Sequence, residues 1–107
     1  MVDRNIEKKV IEFVSELRRN RIKVTKVIIY GSQVTGKARK FSDIDVAVIS
    51  PDFGKGSRDA GARLFEIAAR IDPRIEPVAF SPEEYRKDTW VPLIYEIRTK
   101  GVELKAA

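Results

Sequence analysis

The 107-residue chain contains neither cysteine nor histidine. The lack of cysteine excludes disulfides and thiolate metal sites. The lack of histidine excludes imidazole zinc sites, histidine-based catalytic triads and imidazole acid–base chemistry. Any metal ion must therefore be bound through oxygen ligands, which favours Mg²⁺, Mn²⁺ or Ca²⁺.

Long apolar runs are also missing from the sequence. No stretch approaches the ~20 residues that a helix needs to span a bilayer. The first nine residues are polar and mixed in charge, unlike a signal peptide. We therefore expect a cytoplasmic protein that does not enter the membrane.

The composition is that of a small folded protein with a basic surface. Apolar residues make up 43% of the chain, which predicts a packed core and a single domain over residues 1–107. The net charge is +5, which suits polyanionic partners such as nucleotides, RNA or an acidic protein. A solvated basic surface explains the same charge.

Apolar spacing and turn signals predict an α/β (α+β) fold with the element order α-β-α-β-α-β-α-α and a short last strand. Pro77 within the third strand indicates an edge position or a local irregularity. The first predicted helix covers residues 4–20 and is capped by Asp3, and one or two helical turns are predicted in 31–37. A third helix is capped by Ser57 and ends before Asp72-Pro73. A short helix follows the Ser81–Glu84 capping box, and the last helix covers 90–100. The predicted strands cover 24–30, 44–49, 74–80 and 102–105.

The most informative segment joins the first two strands. The first strand ends in Gly31-Ser32, where a glycine lets the backbone approach a phosphate and the serine adds a hydroxyl donor. Asp43 and Asp45 open the second strand, and their spacing of two places both carboxylates on one face of the sheet. Together these residues predict a site for a nucleoside triphosphate and its Mg²⁺.

Each feature also has an ordinary structural explanation. A Gly-Ser pair after a strand is often only a turn, and an Asp-x-Asp sequence is often a cap or a loop. Asp45, however, lies within an apolar strand, where an unpaired charge costs several kcal/mol unless a cation or several donors compensate it. Glu76 on the next strand is the candidate for a third carboxylate, although it could equally pair with an arginine.

Two other motif matches are rejected. Residues 31–38 stand one residue short of a P-loop, but Ala38 replaces the serine or threonine that binds Mg²⁺, and a strand rather than a helix follows within a few residues. Asp52-Phe53-Gly54 matches a kinase motif, but the catalytic-loop and lysine motifs that accompany it in kinases are missing from the sequence.

The string Tyr-Gly-Ser, then Gly, Ala-Arg and Ser-Asp-Ile-Asp-Val, resembles the signature of the DNA polymerase β-like nucleotidyltransferase superfamily. Its Gly-Ser-x₁₀-Asp-x-Asp spacing and small size look most like the minimal nucleotidyltransferase (MNT) branch. The resemblance covers nearly the whole chain and implies a nucleotidyltransferase fold, a small mixed sheet flanked by helices.

The same resemblance implies roles for particular residues. Gly31 and Ser32 would hold the β- and γ-phosphates of ATP, and Asp43 and Asp45 would carry two Mg²⁺ ions. Glu76 falls where the family has a third carboxylate, usually Asp. Lys37, Arg39 and Lys40 lie in the loop between the motifs, where they would contact the triphosphate or a partner, or form a solvated basic loop.

Members of this branch commonly act as antitoxins that pair with a helical HEPN-domain toxin. We therefore expect transfer of AMP from ATP to a hydroxyl, a tyrosine of such a toxin, with Asp45 or Glu76 accepting its proton. The alternative is a non-catalytic module that neutralises the toxin by binding alone, through apolar residues such as Trp90, Leu93, Ile94 and Tyr95. We do not expect direct nucleic-acid binding, because the sequence contains no aromatic-stacking motif.

Overall fold

A computed structural model describes residues 2–39, 41–54 and 59–105. Within these residues it contains five helices and one four-stranded sheet. The helices are α1 (Arg4–Arg19), α2 (Ser32–Thr35), α3 (Ala60–Ile71), α4 (Pro82–Lys87) and α5 (Pro92–Lys100). The strands are β1 (Lys26–Tyr30), β2 (Ile44–Ile49), β3 (Ile75–Phe80) and β4 (Val102–Leu104). The predicted element order is confirmed.

The sheet is mixed, with the strand order β3-β2-β1-β4. Strand β1 pairs antiparallel with both β2 and β4, whereas β3 runs parallel to β2. The end of β1 and the starts of β2 and β3 therefore lie at the same end of the sheet. The predicted fold class, a small mixed sheet flanked by helices, is confirmed.

Alternation along the strands gives the sheet two different faces. One face packs against α1 and α3 and contains most of the buried apolar residues, among them Phe13, Leu17, Ile29, Ile44, Val46 and Leu64. The opposite face carries a smaller cluster that Ile97 of α5 joins, built from Ile28, Tyr30, Ala47 and Ile49. Asp45 and Glu76 lie on this second face by the same alternation.

Several local predictions are confirmed at the level of single contacts. The Asp3 side chain accepts a hydrogen bond from the backbone N–H of Asn5 at 2.7 Å and caps α1. The Ser81–Glu84 capping box forms in both directions, at 3.1 and 2.9 Å, with Pro82 in the first turn of α4. The predicted Ser57 cap and the end of the predicted turn at 51–56 lie outside the described residues.

Three predicted boundaries are wrong by two residues for identifiable reasons, and the end of α1, the start of β3 and the end of β4 differ by one residue. Strand β1 begins at Lys26 rather than residue 24, because Lys26 already pairs with Ile49, the last residue of β2. Helix α2 ends at Thr35 rather than residue 37, because Gly36 adopts a left-handed conformation. Helix α5 begins at Pro92 rather than residue 90, since the residue before a proline is disfavoured in helical conformation.

Pro77 lies on the edge strand, as its sequence context predicts. Ile44 donates to the carbonyl of Arg74 and Ser50 donates to that of Phe80, so even-numbered residues of β3 face β2. Pro77 therefore points its missing N–H away from the sheet, where no ladder bond is lost. No helix in the described part of the chain is long and apolar enough to cross a membrane.

Candidate functional site

A row of polar side chains crosses the second face at the end of the sheet where the three strands meet. Tyr30 of β1 lies opposite Asp45 of β2, and Asp45 lies beside Glu76 of β3. Asp43 precedes β2 by one residue and is exposed. The register places Asp45 and Glu76 on one face of neighbouring strands, whereas Asp43 lies just before β2 and is not part of the register.

The glycine turn packs directly against the acidic row. Gly31 has φ +76° and ψ −148°, a conformation essentially restricted to glycine. A Cβ added to Gly31 would collide with Oδ2 of Asp45. The turn and the carboxylate are therefore in contact, and the structure brings together the two motifs that are separated by ten residues in sequence.

Ser32 begins the short helix α2 directly after this turn and is half-buried. The carbonyl of Gly31 accepts hydrogen bonds from the N–H groups of Val34 and Thr35, at 3.0 and 3.2 Å, which close the first turn of α2. The Ser32 side chain thus lies at the start of a helical turn adjacent to Asp45. This location suits contact with an anionic group.

The electrostatics of the row are those of crowded negative charge. Partial burial, and then the charges of Asp43 and Glu96, raise the pKa of Asp45 above its ordinary value. The charge of Asp43, followed by desolvation and the charge of Asp45, raises the pKa of Glu76. A side-chain interaction with Asp43 contributes further to the raised pKa of Glu76.

Tyr30 completes the row from the β1 side. Its ring is buried, and desolvation together with the charges of Asp45, Glu76 and Glu96 raises the pKa of its hydroxyl to about 12. The phenol therefore stays protonated at physiological pH and remains a hydrogen-bond donor next to the carboxylates. Burying an ionised phenolate here would add a further negative charge to the cluster.

Comparison with known proteins shows which family shares this arrangement. A sequence profile of the nucleotidyltransferase domain matches residues 7–102, which is most of the chain. The chain belongs to the nucleotidyltransferase domain family. Among proteins of curated function, none matches the chain at a significant level.

Two solved structures are similar to this nucleotidyltransferase domain over most of its length. One is a toxin–antitoxin with AMP-PNP, with a TM-score of 0.64 and 25% identity, covering 94% of this chain and 73% of that chain. The other is a protein from Sulfolobus solfataricus assigned as a nucleotidyltransferase, with a TM-score of 0.58 and 18% identity, covering 92% and 78%. The second supports the fold alone.

The donor chemistry of this nucleotidyltransferase domain fits a divalent cation. None of the ion pairs found among the described residues includes Asp43, Asp45 or Glu76. Among the described residues, no group of three or more acidic side chains is placed so that it could hold a metal ion by itself. Mg²⁺ in nucleotide sites is typically bound by one or two carboxylates together with substrate phosphates, so an open carboxylate row fits such joint binding.

The basic loop lies next to the row but makes no contact with it that would define a role. Lys37 and Arg39 are exposed, and the backbone N–H of Arg39 donates to the Ser42 hydroxyl at 2.7 Å. Lys40 lies outside the described residues. Among the ion pairs of the described residues, none joins Lys37 or Arg39 to the three carboxylates.

Sequence reasoning missed two residues that the fold brings to the nucleotidyltransferase site. Glu96 of α5 acts electrostatically on both Asp45 and Tyr30, although some 50 residues of chain separate it from the motif. Gln33 of α2 is buried and donates to the backbone carbonyl oxygen of Asp43. Gln33 is the only glutamine in the chain and lies directly after the Gly-Ser pair, which is a signal that sequence reasoning could have used.

A groove of about 1280 Å³ lies along β3 and α4, beside the acidic row. Its lining includes Pro77, Phe80 and Leu93 but none of the three site carboxylates. We place the candidate site at the acidic row rather than in this groove, because phosphate and metal chemistry requires the carboxylates and the glycine turn.

Proposed function

We propose that this chain is an enzyme that transfers AMP from ATP to a hydroxyl group, a tyrosine of a partner HEPN toxin, and thereby acts as an antitoxin. The observation that carries the proposal is the contact between the Gly31 turn and Asp45, in line with Asp43 and Glu76. Membership of the nucleotidyltransferase domain family supports the reaction class. The similar toxin–antitoxin structure with AMP-PNP supports the nucleotide and the kind of partner.

In this reaction the acceptor oxygen forms a bond to the α-phosphorus, and the bond from that phosphorus to pyrophosphate breaks. We assign Gly31 and Ser32 to the β- and γ-phosphates, and Lys37 and Arg39 to further contacts with the triphosphate. Two Mg²⁺ ions bound at the carboxylates would neutralise charge on the α-phosphate and the leaving group. This assignment treats residues 1–107 as one minimal domain that acts in the cytoplasm.

The three carboxylates, Asp43, Asp45 and Glu76, are assigned as the metal ligands. Either Asp45 or Glu76 takes the proton of the acceptor hydroxyl, since the sequence offers no histidine. Burial and neighbouring carboxylates raise the pKa of both groups in the metal-free site, and the positive charge of a bound cation would favour the ionised form of each.

The test is intact-mass analysis of the protein encoded by the adjacent reading frame after incubation with this chain, ATP and Mg²⁺. We expect that protein to gain the mass of one or more AMP groups. Asp43→Ala/Asp45→Ala should abolish the gain while circular dichroism shows an intact fold. Glu12→Ala/Glu66→Ala is the matched control, because it removes two exposed carboxylates from the helices on the opposite face and should leave transfer unchanged.

A second function, neutralisation by binding alone, is favoured by one observation. Trp90 and Tyr95 are 79% and 62% exposed, and Leu93 is also exposed, which gives α5 and the turn before it an apolar surface. Ile94, expected with them from the sequence, is instead buried against the sheet. Tight partner binding without mass gain, and without ATP affinity in the presence of Mg²⁺, would select this function over the enzymatic one.

A further inference from the structure

Asp43 lies outside the sheet although it belongs to the acidic row. Strand β2 begins at Ile44, so the first ladder bond toward β3 is the one from Ile44 to Arg74, at 2.8 Å. Asp43 ends an eight-residue connection, 36–43, whose first residue, Gly36, has φ +80° and open space around it. Contacts outside the ladder therefore contribute to the position of Asp43 relative to Asp45.

Gln33 supplies such a contact. Its side chain is 9% exposed, and Nε2 donates to the carbonyl oxygen of Asp43 at 3.2 Å. The same nitrogen lies 3.5 Å from the carbonyl oxygen of Ser42, at the outer limit of a hydrogen bond. The orientation of the amide follows from chemistry, because Oε1 in this place would face two other acceptors.

Two further hydrogen bonds lie within the connection itself. The Arg39 N–H donates to the Ser42 hydroxyl at 2.7 Å, and the Ser42 N–H donates to the Arg39 carbonyl at 3.0 Å. These two bonds join residues of the same loop. The bond from Gln33 joins the loop to α2, which follows directly from the Gly31 turn that contacts Asp45.

We propose that Gln33 is a positioning residue that holds Asp43 for metal and nucleotide binding, by tying the loop that carries Asp43 to the helix that follows the phosphate turn. This inference rests on the proposed function. It predicts that the amide N–H of Gln33, and not the volume of its side chain, sets the affinity of the site. Replacing a residue that hydrogen-bonds to a metal ligand and orients it typically lowers metal affinity or activity about 10- to 100-fold.

The hydrogen bond can be tested without any activity. Because Gln33 is the only glutamine, selective ¹⁵N labelling of glutamine and asparagine side chains gives one glutamine amide pair in an NMR spectrum. We expect these protons to exchange with D₂O more slowly than those of Asn5, which is exposed. Exchange as fast as that of Asn5 would overturn the inference, whatever the chain does with ATP.

The role is tested by variants of the side chain. Gln33→Met keeps a similar volume without a donor, and we expect it to weaken binding of ATP in the presence of Mn²⁺ by about tenfold in calorimetry. Gln33→Glu places a carboxylate against two carbonyl oxygens, and only its protonated form can donate a hydrogen bond. Its affinity relative to wild type should therefore recover as the pH falls, which a packing role would not produce.

Val34→Ala is the matched control, because it shortens a partly buried apolar side chain of the same helix without removing a hydrogen bond. It should leave the affinity within about twofold of wild type, well below the loss expected on removing the donor. Equal losses in Val34→Ala and Gln33→Met, or a loss in Gln33→Glu that is independent of pH, would overturn the positioning role. If wild type itself fails to bind ATP with Mn²⁺, the proposed function fails, and the positioning role fails with it.

Discussion

Gly31 meets two separate requirements at one position. Its backbone occupies a region that other residues avoid, and its missing Cβ leaves room for Oδ2 of Asp45. Gly36 shares a positive φ, +80°, but has open space around it. Replacing Gly31 by alanine would therefore cause both backbone strain and a steric clash, whereas the same replacement at Gly36 would cause backbone strain alone.

We predict that Gly31→Ala destabilises the fold by at least about 3 kcal/mol, and that Gly36→Ala costs only about 1 kcal/mol. Urea unfolding of both variants measures the difference. Gly31→Ala should also displace Asp45 and so remove nucleotide affinity, whereas Gly36→Ala should retain it. Equal costs for the two variants would contradict the close contact between Gly31 and Asp45.

Asp45 is held in the folded state at an energetic cost. Its pKa is raised in the fold, so the folded protein binds more protons than the unfolded chain between the ordinary value of 3.8 and the raised value. Stability therefore falls as the pH rises through that window, and the deficit remains at neutral pH. Asp45→Asn removes the deficit together with a proposed metal ligand.

We predict that Asp45→Asn is more stable than wild type at pH 7, by about 0.5 to 1 kcal/mol after allowing for solvent screening of this partly exposed group. The gain should shrink as the pH falls through the raised pKa of Asp45 toward 3.8, because the wild-type carboxyl is protonated first in the folded state and then in the unfolded chain. Urea unfolding from pH 3.5 to 7.5 measures it. Glu12→Asn on the opposite side of the fold should show no such gain, and a destabilised Asp45→Asn would contradict the prediction.

Helix α1 ends in a left-handed residue that is not glycine. Arg21 has φ +63°, and the bonds from Ile22 to Leu17 and from Arg21 to Arg18, both at 3.0 Å, form a Schellman motif. We predict that Arg21→Gly stabilises the fold by about 0.5 to 1 kcal/mol in thermal or urea unfolding. Arg19→Gly, inside the last turn of α1, should instead destabilise it by about 1 kcal/mol. The same sign for both would contradict the assignment.

Elements whose signals are local could be predicted from the sequence. The Ser81–Glu84 capping box, the Asp3 cap and the whole of β2 lie where the sequence predicts them, because each depends on neighbours within a few residues. The start of β1 depends instead on where β2 ends, which no local pattern contains. Glycine does end α5, but for a tertiary reason, since a Cβ on Gly101 would collide with Ile28 and the Ile97 carbonyl.

The candidate site also has one part that could be predicted from the sequence and another that could not. The proposal that Gly31, Asp43, Asp45 and Glu76 lie together follows from strand periodicity and from the resemblance. The register pairs Asp45 with Glu76, and the Gly31 turn contacts Asp45. Glu96 could not be assigned to the site in advance, because its location depends on how α5 packs against β1. Gln33 required knowledge of the path that the 36–43 connection takes back to α2.

At the scale of the whole molecule, the two faces of the sheet have different tasks. The face under α1 and α3 contains most of the buried apolar surface, whereas the acidic row occupies one end of the other face. The site can therefore vary in charge without disturbing the larger cluster. A ligand that binds at the row only in the folded state should stabilise the entire fold, because the row exists only when the strands are paired.

We predict that ATP with Mg²⁺, at 100 times its dissociation constant, raises the free energy of unfolding by about 2.7 kcal/mol, seen as a higher Tm. The rise should vanish in EDTA and in the Asp43→Ala/Asp45→Ala variant, because both remove metal from the row. A rise of the same size in EDTA would show that the nucleotide binds without metal and would contradict the assignment of the carboxylates.

Pro77 has a consequence for how other molecules can approach Glu76. Its backbone nitrogen faces outward from the edge strand, one residue from Glu76, so an added strand would find no N–H donor there. Edge-to-edge association through β3 therefore loses one of the hydrogen bonds on which such pairing depends.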